Sequence, residues 1–303
     1  MTLTVISGND TVAQSIDGDD QFILLEDASL VVTGNSRALS VTGDDNNVII
    51  LGDFVSAGTQ NAIVSSGGTG NSYTFGANAV LSFANDFFNG MNFNSDNETI
   101  TNHGQIYGSR TVVFLGGSND VFINYGIVAG ASTTFETVRM GDANQTLVNH
   151  GSVTSGAEAV VSVGLNSGIV NFGQIVGTTA IQANTGSARI TNHGDLTGTT
   201  GTAVSMTSTD AIFTNFGTVS GDVTAQQAVT VRNAGLIDGD VITNGSSDVM
   251  VNSGTITGSV DLGTGNDIYR GFGGTVLGTI DGGADDDTYF IDQPDAVIND
   301  LSG

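Results

Sequence analysis

A nine-residue phrase recurs eight times in the central part of this chain. It consists of an apolar residue, Asn two positions later, Gly two positions after the Asn, a second apolar residue and a closing Gly, which Ser155 delays by one position in one copy. A period of roughly 20 residues with strand-like alternation is typical of a solenoid, in which each repeat buries its apolar face against its neighbours. The phrases are centred on Asn102, Asn124, Asn149, Asn171, Asn192, Asn215, Asn233 and Asn252.

Alternation within the phrase predicts one buried and one exposed face. In the first copy, Ile100, Asn102 and Ile106 are predicted to point inward, because side chains alternate along a strand. The glycines are expected at corners, where they adopt φ > 0 without strain. Another apolar strand precedes each phrase. The predicted fold class is therefore all-β: a single-stranded right-handed parallel β-helix (β-solenoid) with about 21 residues and three short strands per turn.

The same pattern divides the chain into three sections. Residues 1–99 are predicted to form irregular N-terminal solenoid turns, with a projecting Phe- and Asn-rich loop near 83–97. Residues 100–258 hold the regular Asn-Gly β-helix repeats. Residues 259–303 hold C-terminal turns with a different motif.

Charge restricts the class of partner. The chain has 31 acidic residues, six Arg and no Lys, and its formal net charge is −25. Nucleic acid and membrane insertion are not expected, because phosphate backbones and anionic lipid surfaces repel such a chain. The surplus carboxylates need hydration, screening or a divalent cation when the chain compacts, which favours Ca²⁺. The chain has no Cys, and its first residues lack the basic and apolar regions of a cleaved signal peptide.

Two C-terminal segments, 262–269 and 282–290, are close to the pattern G-G-x-G-x-D-x-U-x, in which U is a large apolar residue. They resemble RTX (haemolysin-type) calcium-binding repeats, although Leu262 replaces the first Gly and Asp285 the third. This resemblance implies Ca²⁺ as a cofactor, held by turn carbonyls and carboxylates between stacked turns. The metal-binding residues that it implies are Gly263, Gly265, Asp267, Gly282, Gly283, Asp285 and Asp287.

The resemblance also bears on localisation. RTX proteins are secreted by the type I route through an uncleaved C-terminal signal, so the chain is expected to be extracellular or on the cell surface, with such a signal within 259–303. The Asn-Gly repeats more loosely resemble autotransporter passenger β-helices. Fainter Gly-Asp pairs at earlier turns, such as Gly18-Asp19 and Gly43-Asp44, either extend an acidic edge or reflect the residue preferences of turns.

An aromatic stripe follows the repeat Asn in six consecutive turns. Parity places all six rings outward, beside further apolar residues, which predicts a buried contact through lateral or end-to-end self-association or through a docked partner. The alternative is that stacked rings at a corner tolerate exposure. The histidines lie in alternate turns about 10 Å apart, too far to share one metal ion. The predicted interface residues are His103, Tyr125, His150, Phe172, His193 and Phe216.

Catalysis is not expected. Lys is absent, the six Arg are scattered along the sequence, and no nucleophile elbow, phosphate loop or His/Cys metal motif is present. The predicted function is a secreted calcium-binding β-solenoid that serves as a structural, self-associating or adhesive component of a bacterial surface layer, matrix or fibre. Two alternatives stay open: a β-helix domain of a carbohydrate-active enzyme, and a non-catalytic solenoid that binds a cell-surface glycan.

Overall fold

A computed structural model describes residues 1–84 and 87–300, and every regular element within these residues is a β-strand. The chain comprises two compact units, Met1–Val160 and Val161–Gly303. In each unit the strands recur three per turn and pair in parallel with the equivalent strands of the adjacent turns. Each unit is therefore a parallel β-solenoid, which confirms the predicted fold class; the right hand of the coil stays a prediction.

The strands fall into three rows. Row 1 of the first unit comprises Leu3–Ile6, Gln21–Leu24, Asn47–Ile50, Ser72–Phe75, Thr99–Asn102, Val121–Asn124 and Thr146–Asn149. Row 2 of this unit comprises Asn9–Asp10, Ser29–Gly34, Asp53–Gly58, Val80–Phe83, Gln105–Gly108, Ile127–Gly130 and Ser152–Ser155. Row 3 comprises Gln14–Asp17, Leu39–Thr42, Ile63–Ser65, Met91–Phe93, Val113–Leu115 and Val138–Met140. Strand Val160–Ser162 spans the boundary between the units.

The second unit repeats this arrangement. Its row 1 comprises Gly168–Asn171, Arg189–Asn192, Ala211–Asn215, Val229–Asn233, Val249–Asn252, Ile268–Gly271 and Thr288–Ile291. Its row 2 comprises Gln174–Gly177, Leu236–Asp238, Thr255–Ile256 and Thr275–Val276, and its row 3 comprises Ile181–Ala183, Val241–Thr243, Val260–Asp261, Thr279–Asp281 and Val297–Asn299. Two longer strands, Asp195–Met206 and Thr218–Ala225, run through the corner and pair in both rows.

The core of each unit consists of inward side chains that stack along the solenoid, with one layer of side chains from each turn. Val121–Asn124 alternates between half-buried and fully buried positions, and Phe122 and Asn124 are the buried ones. The register places Ile100, Phe122 and Leu147 at equivalent positions of successive turns. Apolar side chains of equivalent positions therefore pack on one another, and each turn buries apolar area only through its two neighbouring turns.

The repeat asparagines form the predicted inward ladder within each unit. The Asn102 Nδ2 donates to Asn124 Oδ1 at 2.8 Å, and each side chain also donates to the backbone of its own corner and of the next turn. In the second unit the same ladder runs through Asn171, Asn192 and Asn215 with spacings of 2.9 Å. Because these amides are fully buried, the ladder satisfies polar groups that would otherwise lack partners.

The position two residues after each repeat Asn requires glycine for a different reason from the predicted positive φ. None of these glycines has a positive φ in the described residues. A Cβ on Gly126 would lie 1.9 Å from the Gly104 carbonyl oxygen, and one on Gly217 would lie 2.1 Å from that of Gly194. Glycine is required here because successive turns stack in van der Waals contact and leave no room for a side chain.

Part of the segment predicted as a projecting loop near 83–97 contributes to the solenoid. Met91–Phe93 is a row 3 strand with Met91 and Phe93 fully buried, because these two side chains alternate inward around Asn92. Phe87 and Phe88 are exposed. Asn85 and Asp86 lie outside the described residues. Within the described ranges, no helix has the length and apolar character needed to cross a membrane.

Candidate functional site

In each unit a column of residues stands at the corner that follows row 3, where each residue directly precedes or begins a row 1 strand. We call it the corner column; it comprises Thr2, Asp20, Asn46, Asn71, Glu98, Asp120 and Gln145 in the first unit, and Ser167, Ala188, Ala211, Val229, Asp248, Asp267 and Asp287 in the second. Several of the polar side chains accept the backbone N–H of the same column position in the preceding turn. Glu98 N–H, for example, donates to Asp120 Oδ1 at 2.9 Å.

The two RTX-like aspartates belong to this column. Asp267 Oδ1 accepts the Asp248 N–H at 2.7 Å, and Asp287 Oδ1 accepts the Asp267 N–H at 2.9 Å. Asp248 in turn accepts the Val229 N–H at 2.7 Å. Asp267 is 1 % exposed. In this structure the carboxylates therefore face the interior and hold successive turns together.

Sequence reasoning missed the corner column, although a signal for it exists. Its members stand four residues before the repeat Asn, as Glu98 does before Asn102 and Asp248 before Asn252. An even separation on one strand means the same face, so the parity that placed the Asn ladder inward also places these residues inward. The sequence pattern predicted Asp267 and Asp287 only as calcium ligands of a turn.

Burial perturbs the acidity of the column. Loss of hydration raises the pKa of Asp267 to about 7, and the nearby Asp248, Asp287 and Asp285 carboxylates raise it further against the opposing backbone hydrogen bond. Burial likewise raises the pKa of Asp248 to about 6, and it also raises the pKa of Asp287.

In the first unit, burial raises the pKa of Glu98 to about 8 and that of Asp120 to about 7. The column thus holds carboxyl groups that keep their protons at a higher pH than exposed carboxyl groups do.

The residues implied by the RTX resemblance fit a calcium site only in part. Gly263, Gly265, Gly283 and Asp285 have φ between 84° and 121°, as corners of this kind require, and Gly282 is buried beside Asp287 Oδ2. Asp267 Oδ2 and Asp287 Oδ2 are buried without a hydrogen-bond partner.

Other features of the corner count against the implied ligand set. The Gly263 carbonyl already accepts the Ala284 N–H at 2.8 Å, and the Asp285 side chain is exposed. The described residues contain no group of three or more His, Cys, Asp or Glu arranged to hold a metal ion. Calcium binding stays a prediction.

In three of the earlier turns, among them those of the fainter Gly18-Asp19 and Gly43-Asp44 pairs, an Asp or Asn adopts a positive φ. Asp19, Asp45 and Asn119 have φ of 53°, 54° and 61°. Each stands one residue before the corner column, where the chain turns into row 1. Because Asn and Asp tolerate the left-handed region better than other non-glycine residues, turn preference explains these three positions.

In each unit, three of the six predicted rings form a column at the corner that follows row 1. All six point outward; Tyr125, Phe172 and Phe216 are 49 %, 47 % and 52 % exposed. In the first unit the His103, Tyr125 and His150 rings stack with centroids 4.9 and 4.8 Å apart, and in the second unit Phe172, His193 and Phe216 do the same. The outward orientation is confirmed, whereas the interface role stays a prediction.

The ring column is part of a surface that lacks carboxylates. We call it the row 1 face: the outward side chains of the row 1 strands together with the residue after each strand. In the first unit it runs from Leu3 to His150 without an Asp or Glu, and in the second it runs from Gly168 to Asp292, its one acidic residue among those described. This segregation stands out in a chain of net charge −25.

The row 1 face of the second unit also gathers arginines. Arg189, Arg232 and Arg270 occupy its outward positions and are exposed. No ion pair to any of them occurs in the described part of the chain. Three of the six Arg, which are scattered in sequence, therefore stand on one face, because the repeat period aligns them.

No protein-family profile matches this chain, and no curated protein or solved structure does so either.

Proposed function

We propose that this protein is a secreted, non-catalytic β-solenoid that acts as a structural, self-associating or adhesive component of an extracellular layer, matrix or fibre. The observation that supports the proposal is the row 1 face, which combines exposed stacked rings with the near absence of carboxylates. The partner that we propose for this face is a second copy of the chain.

Electrostatics favours this contact over others between copies. Two molecules of net charge −25 repel each other, and the repulsion weakens with the separation of their charges beyond a Debye length of about 10 Å at 0.1 M salt. Contact between two row 1 faces keeps the carboxylates of both copies away from the contact. Contact through row 2 would instead bring exposed acidic residues such as Asp53 and Asp195 together.

Apolar burial supplies the attraction. Each exposed ring contributes on the order of 1 kcal/mol when its outer half is covered by a partner. Six rings contribute several kcal/mol before the entropy of association is subtracted. Calcium is the subsidiary part of the proposal and depends on the RTX resemblance: it would neutralise Asp267 and Asp287 at their corner.

Light scattering tests the proposal. We expect the molar mass to exceed that of the 30.7 kDa chain at moderate salt and to fall toward it in the double variant Tyr125→Asp with Phe172→Asp. The matched control is Tyr107→Asp with Leu236→Asp, which adds the same charge at exposed apolar positions of row 2. Equal masses for the two double variants would overturn the assignment of the face.

Calcium is tested in the same experiment by adding millimolar Ca²⁺ or a chelator. A mass that rises only with Ca²⁺ supports ion-dependent assembly. A folded monomer under both conditions would rule out self-association and leave adhesion to another partner. Turnover on a panel of glycans would contradict the non-catalytic part of the proposal.

A further inference from the structure

The ring column of the second unit is interrupted and then resumes. After Phe172, His193 and Phe216, the aligned positions of the next turns hold Ala234, then Ser253, then Phe272. Ala and Ser carry no ring, so the surface is recessed for two turns between Phe216 and Phe272. At about 4.8 Å per turn, the two rings are roughly 14 Å apart along the stack.

A cavity of about 200 Å³ occupies part of this recess. Phe216 forms one wall, Ala234 and Ser253 form the floor, and Arg232 and Val251 lie beside them. All of these residues belong to the second unit. The recess is therefore a built feature of one repeat array and not a gap between units.

Stacking geometry fixes how a ligand would enter. The His193 ring covers one face of Phe216 at a centroid distance of 4.8 Å and an interplanar angle of 9°. No ring stands at Ala234 to cover the other face, and Phe216 is 52 % exposed. A flat or chair-shaped ring seated above Ala234 would continue the stack against that face.

The charge of the recess selects an anion. The Arg232 guanidinium is exposed, and no ion pair to it occurs in the described part of the chain. Arg270 stands two turns further along the same outward column, although it lies 5.7 Å above the Phe290 ring. Guanidinium groups pair with carboxylate or sulfate oxygens through two parallel hydrogen bonds.

We propose that this recess, which we call the Phe216 slot, binds an anionic sugar ring, with the sugar's C–H face on Phe216 and its carboxylate or sulfate on Arg232. Apart from Arg232 the slot presents little polar surface, and the Ser253 hydroxyl already donates to the Asn233 carbonyl at 3.4 Å, so the carbon face of the sugar makes the main contact and Arg232 the polar one. The row 1 face is also where an anion meets the least repulsion from a chain of net charge −25. One molecule contains all of the slot, so binding does not require self-association, although a second copy on the row 1 face would cover it.

Calorimetric titration tests the slot. The probes are a glucuronic acid tetrasaccharide, a sulfated tetrasaccharide and an uncharged glucose tetrasaccharide. The experiment uses the Tyr125→Asp, Phe172→Asp background at a concentration where light scattering shows a monomer, so that failure of the slot and failure of self-association are told apart. We expect at least one anionic probe to bind and the neutral probe to bind at least tenfold more weakly; the preferred anionic probe identifies the charged group.

Three variants then locate the binding. Ala234→Phe places a ring where the ligand ring would sit and should abolish binding, whereas Arg232→Gln should weaken it at least tenfold. Arg189→Gln is the matched control, since it removes an exposed guanidinium from the same face outside the slot, and should change the Kd less than twofold.

The proposal is overturned if no anionic probe binds, if the neutral probe binds equally well, or if Arg232→Gln and Arg189→Gln have the same effect. It is also overturned if Ala234→Phe lowers the molar mass of the native-background protein without any sugar binding, because a side chain of a second copy would then be the occupant. Circular dichroism of each variant checks that the solenoid is retained.

Discussion

Replacing Asp267 with Asn separates two roles that the corner column offers this residue. The amide keeps an Oδ1 that can accept the Asp248 N–H. Asn46 and Asn71 show this arrangement in the first unit, where each amide oxygen accepts the N–H of the preceding column residue. It carries no charge, however, and cannot serve as a carboxylate ligand. If Asp267 acts only as a backbone acceptor, the substitution removes the cost of a buried charge and retains the hydrogen bond.

The magnitude follows from the pKa. Burial raises the pKa of Asp267 from 3.8 to about 7, so between these values the unfolded chain has released a proton that the folded chain keeps. The stability contribution of the protonated Asp267 is then fully present below about pH 4. It is lost as pH rises through 7, at a limiting slope of about 1.4 kcal/mol per pH unit.

Over the two pH units from 5 to 7, ionisation of Asp267 can therefore lower the free energy of unfolding by at most about 3 kcal/mol. Solvent beside the exposed Asn266 and coupling to the neighbouring carboxylates reduce it to about 1 to 2 kcal/mol. We expect Asp267→Asn to gain this much stability relative to the unmodified chain between pH 5 and pH 8.

Urea unfolding followed by circular dichroism at pH 5 and pH 8, in chelator, measures this difference. Asp286→Asn is the control, because it removes an exposed carboxylate from the same turn as Asp287. An Asp267→Asn variant with the pH slope of the unmodified chain would refute the buried-charge reasoning. Repeating the titration in millimolar Ca²⁺ tests the metal: a stability gain that the unmodified chain shows and Asp267→Asn lacks would assign the carboxylate as a ligand.

Three further substitutions probe the scaffold. Asn171→Ala should cost about 1 to 3 kcal/mol, because the Asn171 Nδ2 donates to Asn192 Oδ1 and to the Gly173 and Asp195 carbonyls, and the buried Asn192 Oδ1 would lose this donor; no loss in urea unfolding would contradict the ladder. Gly217→Ala should destabilise the second unit by at least about 2 kcal/mol, since its Cβ would stand 2.1 Å from the Gly194 carbonyl oxygen; a thermal midpoint equal to that of the unmodified chain would show that the turns separate easily. Glu98→Gln should stabilise the chain above pH 8 and change little at pH 5, because burial raises the pKa of Glu98 to about 8, and a gain that is equal at both pH values would exclude titration of this group.

The candidate site shows where reading from sequence succeeded and where it stopped. Parity along the strand was enough to place Asn102 inward and His103 outward, because side-chain alternation survives any bending of the solenoid. The RTX pattern directed attention to Asp267 as a turn ligand, yet its carboxylate accepts a backbone N–H inside the corner. Motif spacing does not report which group a corner side chain contacts, since that partner belongs to the adjacent turn.

The arginines illustrate the same limit. Arg189, Arg232 and Arg270 are far apart in sequence and stand on one face only because the intervening turns stack in register. The length of a turn varies along the chain, so the sequence alone does not reveal that Arg232 and Phe216 line one cavity. The slot is a product of stacking.

What the sequence determined by itself is the periodic part of this protein: an all-β solenoid, three strands per turn, an inward Asn ladder and an outward ring column. These follow from the alternation of side chains along a strand and from the regular spacing of the Asn-Gly phrase, which are local properties of the chain. The tertiary structure alone decided what lies between turns: the glycines that only close stacking requires, the backbone N–H groups that Asp248, Asp267 and Asp287 accept, the nearly carboxylate-free row 1 face and the Phe216 slot. Each of these depends on contacts between residues of different turns, and such contacts exist only once one turn has packed on the next.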